Sequence, residues 1–127
     1  MVSKEWRGEI AFSLVEQSAE RVVARMAVGD GIRNPFGTVH AGAMIWMADV
    51  AATTLAIGEA GISPDGKGFP LAIDLHAALV GNQRAGEITA EARLVRRGRR
   101  ITVIRTRVTG DGGKLLLDLT TTHIPAD

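Results

Sequence analysis

One stretch of the sequence decides the fold: HAGAMIWMADVAATTLAIGEA, residues 40–60. Small and large apolar residues dominate it, and neither proline nor glycine interrupts it between Gly42 and Gly58. The pattern predicts a helix from His40 to about Ala60 that is apolar on nearly every side, and such a helix is buried nearly all round. The apolar run is slightly short for a membrane span and carries Asp49 near its middle, so we expect it inside a protein.

The segments around this stretch alternate apolar and polar residues, a pattern typical of half-buried strands. Two such segments precede it, over residues 9–16 and Val22–Val28. After a glycine- and proline-rich loop at 58–70, four more follow, at residues 69–80, 86–97, 100–109 and 114–123. The order of two strands, one long helix and four strands predicts an α+β chain.

Three breaks separate the last four strand segments: Gly81-Asn82, Gly98 and Asp111-Gly112-Gly113. Breaks of this kind favour antiparallel hairpins. A flat sheet covers a helix on one side only, whereas this helix is apolar all round. We therefore expect a curved antiparallel sheet of about five or six strands that wraps the helix, with a partner subunit covering the rest.

Length and composition limit the class of protein. The 127 residues, 46% of them hydrophobic, fit one globular domain over residues 1–127. The net charge of +1 predicts no nucleic-acid partner, and the lack of cysteine excludes disulfides, thiolate nucleophiles and cysteine metal sites. Residues 1–6 lack the apolar core of a secretory signal. We therefore expect a cytoplasmic protein with no membrane partner and no metal.

A motif joins the helix to the loop before it: NPFGTVHAGA at residues 34–43, which runs into Met47-Ala48-Asp49. This motif, on this order of strands and helix, resembles the PaaI-like hotdog thioesterases. The group is similar to phenylacetyl-CoA and 4-hydroxybenzoyl-CoA thioesterases with the carboxylate on the central helix. The resemblance implies a hotdog fold and hydrolysis of a small or aromatic acyl-CoA. It implies no cofactor, because coenzyme A is part of the substrate.

The resemblance implies six residues at the catalytic site: Asp49, Asn34, His40, Ala41, Gly42 and Thr53. Asp49 corresponds to the catalytic carboxylate, and Asn34 to the amide that contacts the thioester or the attacking water. The turn at residues 40–42 supplies a backbone amide for the thioester carbonyl, and Thr53 matches a catalytic hydroxyl of some relatives. Asn34 and Asp49 of one site are expected from different subunits of a dimer or a dimer of dimers, so a monomer is expected to be inactive.

Two positions depart from the family's pattern. The middle of the family's His-Gly-Gly turn is Ala41 here, and its methyl group crowds the approach of a thioester oxygen. The strand after the helix carries Ala72 where some relatives have a serine. The role of that serine then falls to Thr53 or to no residue.

The chemistry fits these residue types. The first turn of a helix leaves N–H groups unpaired and partly positive, so the N–H of Ala41 or Gly42 suits an oxyanion. Asp49 lies two turns further along and is the only acid between Gly31 and Gly58. It is a candidate nucleophile or general base, and the sequence does not distinguish the two roles.

Substrate-binding candidates fall into two groups. Arginines suit the phosphates of coenzyme A, because the guanidinium fork matches phosphate oxygens, and four flank the Gly98 turn: Arg96, Arg97, Arg99 and Arg100. The candidates for the acyl pocket are Pro35, Phe36 and, on the apolar helix face, Trp46 and Met47.

Each assignment has a structural alternative. Asp49 would then cap a loop or pair with an arginine across the dimer. His40 would fix its turn through hydrogen bonds, and Asn34 before Pro35 would be a turn residue. Thr53 would bond back to its own backbone, and the arginines would discourage edge pairing of strands.

Two other functions are compatible with the sequence. One is a non-catalytic acyl-CoA binding or sensing module, in which Asp49 and the turn are relics. The other is hydration of an enoyl thioester, which usually needs a histidine paired with an acid. The sequence offers no good acid partner for His40, so we rank hydration lower.

Overall fold

A computed structural model of the chain describes residues 4–127. The apolar stretch forms one long helix, α1 (Ala41–Ile57), followed by a 3-10 turn at Gly58–Ala60. The strands are β1 Ser13–Gln17, β2 Arg21–Ala27, β3 Pro70–Leu79, β4 Glu87–Arg97, β5 Thr102–Thr109 and β6 Leu115–Pro125. They form one antiparallel sheet in the order β1-β2-β4-β5-β6-β3. The prediction of one long helix on an antiparallel sheet of this size is confirmed.

One face of α1 packs on the sheet. Its buried residues are small or flexible: Ala43, Met44, Met47, Ala48, Ala51, Ala52, Leu55 and Ala56. Alternate residues of the central strands meet them, among them Ile88, Ile104 and Leu119, each fully buried. Residues Ala41–Ala60 are long and apolar enough to cross a membrane. The packing of the helix on the sheet explains the apolarity of its buried face.

The predicted start of the first strand is wrong. β1 begins at Ser13, whereas the alternating pattern predicted a strand over residues 9–16. The Glu9 N–H donates to the Gly31 carbonyl at 3.0 Å, so this segment lies against the loop before α1. A Cβ on Gly8 would stand 2.7 Å from that same oxygen, which shows how closely the two backbones approach. Alternation in the sequence does not reveal which segment a strand pairs with.

The predicted hairpin at Gly81-Asn82 is also wrong. β3 pairs with β6 at one edge of the sheet, while β4 lies between β2 and β5. Residues 80–86 therefore connect β3, at the edge of the sheet, to β4 in its interior, and do not form a hairpin. The hairpins at Gly98 and Asp111–Gly113 are confirmed by the pairing of β4 with β5 and of β5 with β6.

Candidate active site

Asp49 lies on the side of α1 that faces away from the buried methionines. It lines an open cavity of about 390 Å³. The other lining residues are mostly apolar and come from α1 and the start of β3: Val50, Thr53, Thr54, Ile57, Phe69, Pro70, Leu71 and Ala72. The structure therefore brings Asp49 and Thr53 together, with Ala72 on the opposite wall.

The carboxylate of Asp49 has no hydrogen-bond partner within residues 4–127, and its Oδ1 is buried. No arginine of the described residues pairs with it. A buried acceptor without a donor is costly, on the order of 1–3 kcal/mol, and is uncommon in proteins. A second such atom in the described residues is Oγ1 of Thr106, on the core face of β5. Oδ1 is covered by the protein, so the oxygen available to a donor from outside the chain is Oδ2.

The two adjacent threonines of α1 differ. The hydroxyl of Thr54 donates to the carbonyl of Val50 at 2.7 Å, one turn back along the helix. The structural alternative had expected such a bond from Thr53. The Thr53 hydroxyl makes no hydrogen bond in the described part of the chain, and it lies one turn beyond Asp49 on the cavity wall. Thr53 is thus free to bind a water or substrate.

The first turn of α1 borders a second cavity, of about 270 Å³, lined by Arg33, His40, Gly42 and neighbouring residues. The N–H groups of Ala41 and Gly42 have no acceptor among residues 4–127. His40 is the N-cap, and its carbonyl accepts the N–H of Ala43 at 3.0 Å. Its imidazole is exposed and makes no hydrogen bond in the described residues, so the turn is held by the backbone of His40.

Asn34 organises the loop before α1. Its Oδ1 accepts the N–H groups of Phe36 and Thr38 at 2.9 and 3.2 Å, and its Nδ2 donates to the Thr38 hydroxyl at 2.7 Å. The turn ends at Gly37, whose φ of 83° suits glycine. The side-chain Nδ2 of Asn34 carries a second N–H, which can donate to another acceptor.

The acyl-pocket candidates do not meet at Asp49 within one subunit. Phe36 is 80% exposed and Pro35 is exposed beside it. Trp46 is 47% exposed, and its ring packs edge-on against Phe12 with the ring centroids 4.8 Å apart.

The arginines at the Gly98 turn have different environments. Arg97 donates to the carbonyls of Leu55 and Ala56 at 3.1 and 3.2 Å, so it caps the C-terminus of α1. Arg97, Arg99 and Arg100 line a cavity of about 200 Å³. Arg96, Arg99 and Arg100 are exposed and make no ion pair in residues 4–127, which leaves these three available to phosphate.

Other arginines of the same region lie on the outer face of the sheet and pair with acids there. Arg105 makes two hydrogen bonds to Asp118, at 2.6 and 3.0 Å, and they hold the pKa of that carboxyl below its usual range. Glu91 is bonded by Arg93 and Arg21, which likewise lower its pKa. These ion pairs lie on the face of the sheet opposite α1.

The sequence did not reveal one contact at the first turn of α1. The side chain of Asn82 makes two hydrogen bonds to the backbone of Val39, the residue before the N-cap. Asn82 appeared only as part of a break between strands, and no local signal marks the contact, since 43 positions separate the two residues.

Known proteins resemble the chain in sequence. The family model of the acyl-CoA thioesterase N-terminal domain matches residues 30–124. A 1,4-dihydroxy-2-naphthoyl-CoA hydrolase of Listeria monocytogenes is 30% identical over 108 residues, which cover 84% of each protein. A Deinococcus radiodurans protein that its name places among the esterases is 34% identical over 101 residues. That alignment covers 79% of this chain, and the chain spans 60% of the length of the Deinococcus protein.

Solved structures resemble the chain in fold. A thioesterase of Staphylococcus aureus superposes with a TM-score of 0.80 at 27% identity, covering 91% of this chain and 93% of that one. Structures of two of its variants are known. One has alanine in place of a glutamine, and the other has alanine in place of a glutamate 15 positions later. A Haemophilus influenzae thioesterase superposes with a TM-score of 0.78 at 21% identity, covering 91% and 78%. The chain therefore belongs to the acyl-CoA thioesterase family and has the hotdog fold of its structural relatives.

Proposed function

We propose that this protein hydrolyses an acyl-CoA thioester to the free acid and coenzyme A, with Asp49 as the acting carboxylate. The observation that carries the proposal is the Asp49 carboxylate, which has no donor in residues 4–127, has its Oδ1 buried, and belongs to a residue that lines an apolar cavity. The S. aureus thioesterase has an amide and an acid 15 positions apart, and Asn34 and Asp49 have the same spacing here.

In this mechanism Asp49 acts as a general base. Its free oxygen accepts a proton from a water, which attacks the thioester carbonyl carbon. Backbone N–H groups at the first turn of a helix stabilise the oxyanion. The C–S bond then breaks, its electron pair leaves on the sulfur, and the proton held by Asp49 passes to the sulfur, which releases coenzyme A as a thiol. The free hydroxyl of Thr53 is placed to hold the same water.

The site needs a second copy of the chain. Gly42 and Asp49 are seven positions apart, which separates them by about 10 Å along a helix axis. One carbonyl group has to lie about 3 Å from both the oxyanion donors and the water that Asp49 activates. The cavity at Asp49 and the cavity at Gly42 share no lining residue. We therefore propose that Asp49 and Thr53 of one subunit face Asn34 and the helix turn of its partner.

The edge strand β3 is our candidate for the contact between copies. Its second edge has no partner strand in residues 4–127. It exposes Leu71, Ile73 and Leu75 by 43–56%, and Leu71 also lines the Asp49 cavity. Two antiparallel copies of an edge strand pair naturally about a twofold axis, which covers an edge that would otherwise aggregate.

We propose an aromatic acyl group as the substrate class. The lining of the Asp49 cavity includes Phe69, Ile57 and Leu71, and the L. monocytogenes relative is named for an aromatic acyl-CoA. The exposed arginines Arg96, Arg99 and Arg100 are proposed to hold the phosphates of coenzyme A. The expectations of a cytoplasmic location and of no cofactor stay predictions.

The first experiment measures free-thiol release from a panel of acyl- and aryl-CoA substrates. Asp49→Asn should lower kcat by about 10²–10⁴-fold while the thermal unfolding temperature is kept, because one base is lost and no packing changes. Glu59→Gln, an exposed acid just beyond α1, is the matched control. If no thioester releases thiol although acyl-CoA binds, the protein is a binding module. If enoyl-CoA absorbance changes without thiol release, it is a hydratase, although His40 has no acid partner in the described residues.

A mixing experiment tests the shared site. Asp49→Asn and Ala41→Pro variants are each expected to be nearly inactive, because each lacks one half of every site. Reassembled in equal amounts, they should recover about a quarter of wild-type activity, since half of the dimers hold one intact site. No recovery after verified subunit exchange would mean that both halves come from one chain.

A further inference from the structure

Asn82 lies in the segment that joins β3 to β4 and contacts the chain just before α1. Its Oδ1 accepts the Val39 N–H at 3.0 Å, and its Nδ2 donates to the Val39 carbonyl at 2.8 Å. The side-chain amide thus bonds both backbone groups of Val39, as a neighbouring strand would. Val39 is fully buried, so no water replaces these bonds.

Val39 is directly followed by the turn that carries the proposed oxyanion donors. The next residue, His40, donates its N–H to the Ile32 carbonyl at 2.7 Å, and its carbonyl accepts the Ala43 N–H. The free N–H groups of Ala41 and Gly42 come next. Their position in space therefore depends on where Val39 and His40 are held.

The segment that carries Asn82 is itself rigid. The N–H groups of Val80 and Gly81 donate to the Leu116 carbonyl at 2.9 and 3.2 Å. A Cβ on Gly81 would stand 2.6 Å from the Leu115 carbonyl oxygen, so the backbone lies tightly against β6. Asn82 therefore transmits the position of the sheet to the first turn of the helix.

We propose that Asn82 is a positioning residue for the oxyanion donors at the N-terminus of α1. The inference rests on the proposed thioester hydrolysis and deepens it. Oxyanion donors act only if they are fixed before the reaction, and a displacement of about 1 Å costs on the order of 100-fold in rate. The two bonds from Asn82 restrict such a displacement.

The neighbouring residue offers a matched control. Asn82 makes three side-chain hydrogen bonds, two to Val39 and one from the Gln83 N–H at 2.9 Å. Gln83 also makes three, to the carbonyls of Ala85 and Glu87 and from the Asp111 N–H. The bonds of Gln83 stabilise the same segment without reaching the helix turn.

The experiment compares Asn82→Ala with Gln83→Ala in the full chain, using an aryl-CoA that the wild type hydrolyses. Asn82→Ala should lower kcat by about 10- to 100-fold with KM changed by less than about threefold, whereas Gln83→Ala should change kcat by less than about threefold. Hydrogen exchange should rise over residues 39–44 in Asn82→Ala only. If Asn82→Ala does not fold, Asn82→Asp takes its place, because it keeps the acceptor of the Val39 N–H and loses only the donor.

The outcomes separate this inference from the proposed function. Equal losses of kcat in the two variants, or a full kcat in Asn82→Ala, would overturn the positioning role. If the wild type hydrolyses no thioester, the proposed function fails, and the exchange measurement decides about Asn82. Unchanged exchange over residues 39–44 then overturns the holding of the helix turn by Asn82 as well, and a selective rise supports that holding, apart from any role in hydrolysis.

Discussion

The two faces of α1 differ in how complete they are. The face toward the sheet is fully buried, with Met47, Ala48 and Ala51 at 0% exposure. The other face carries Asp49, with a buried oxygen that has no donor in residues 4–127, and Thr53 with a free hydroxyl. The difference teaches that one chain completes the apolar packing on one face of α1 but leaves the polar groups of the other face for a partner, a substrate or water.

After the loss expected of Asp49→Asn, the next largest effect is expected at the N-terminus of α1. Ala41→Pro removes one free N–H at the first helical position, where proline is well tolerated. The φ and ψ of His40, −65° and 132°, already suit a residue before proline. If Ala41 is the oxyanion donor, kcat should fall by about 10²–10³-fold with stability unchanged. Ala41→Ser, which keeps the N–H, is the control, and a full rate in Ala41→Pro would assign the donor to Gly42.

The buried face should respond in stability instead of activity. Met47→Ala leaves a cavity between helix and sheet and should lower the free energy of unfolding by about 2–5 kcal/mol. Met47→Leu nearly conserves the volume and should cost less than about 1.5 kcal/mol. Denaturant unfolding measures both, and kcat per folded molecule should stay near wild type. A large loss of kcat in folded Met47→Ala would show that the two faces are not independent.

Thr53 and Thr54 form a smaller test within one helix turn. Thr53→Val should lower kcat by about tenfold, the equivalent of about 1.4 kcal/mol for one hydrogen bond to water or substrate. Thr54→Val should alter kcat much less, because its hydroxyl is already bonded to Val50. Steady-state kinetics on the same substrate compare the two, and equal effects would remove Thr53 from the catalytic site.

The smallest effect is expected at the C-terminus of the helix. Arg97→Ala removes a cation that bonds the last carbonyls of α1 and should cost about 1 kcal/mol in stability. Arg99→Ala should change stability by less than about 0.5 kcal/mol, because Arg99 is exposed. The thermal unfolding temperatures of the two variants measure this difference in stability. If the two variants are equally stable, the cap at Arg97 contributes nothing measurable.

Much of the fold was predictable from local patterns. The uninterrupted apolar run defined α1, and alternation located the strands to within a few residues. Helical spacing predicted that Asp49 and Thr53 share a helix face, and both line one cavity with Ala72. The pairing of β3 with β6 was missed, because residues far apart in sequence make that contact.

The missed details of the site have the same cause. Neighbouring threonines on one helix look alike in sequence, and only the packing of the chain determines which one bonds back to Val50. Arg97 looked like its neighbours at the Gly98 turn, yet the fold brings it to the end of α1. The contact of Asn82 with Val39 depends on the route of the chain from β3 to β4.

The pairing of β3 with β6 has a consequence for biosynthesis. β3 has no other strand partner in the described residues, so it must wait until β4, β5 and β6 have left the ribosome. At about 5–20 residues per second this wait lasts a few seconds, during which an apolar strand is unpaired. The wall of the Asp49 cavity is therefore completed late, and a nascent chain that stalls before β6 should be a preferred substrate for chaperones that bind extended apolar segments.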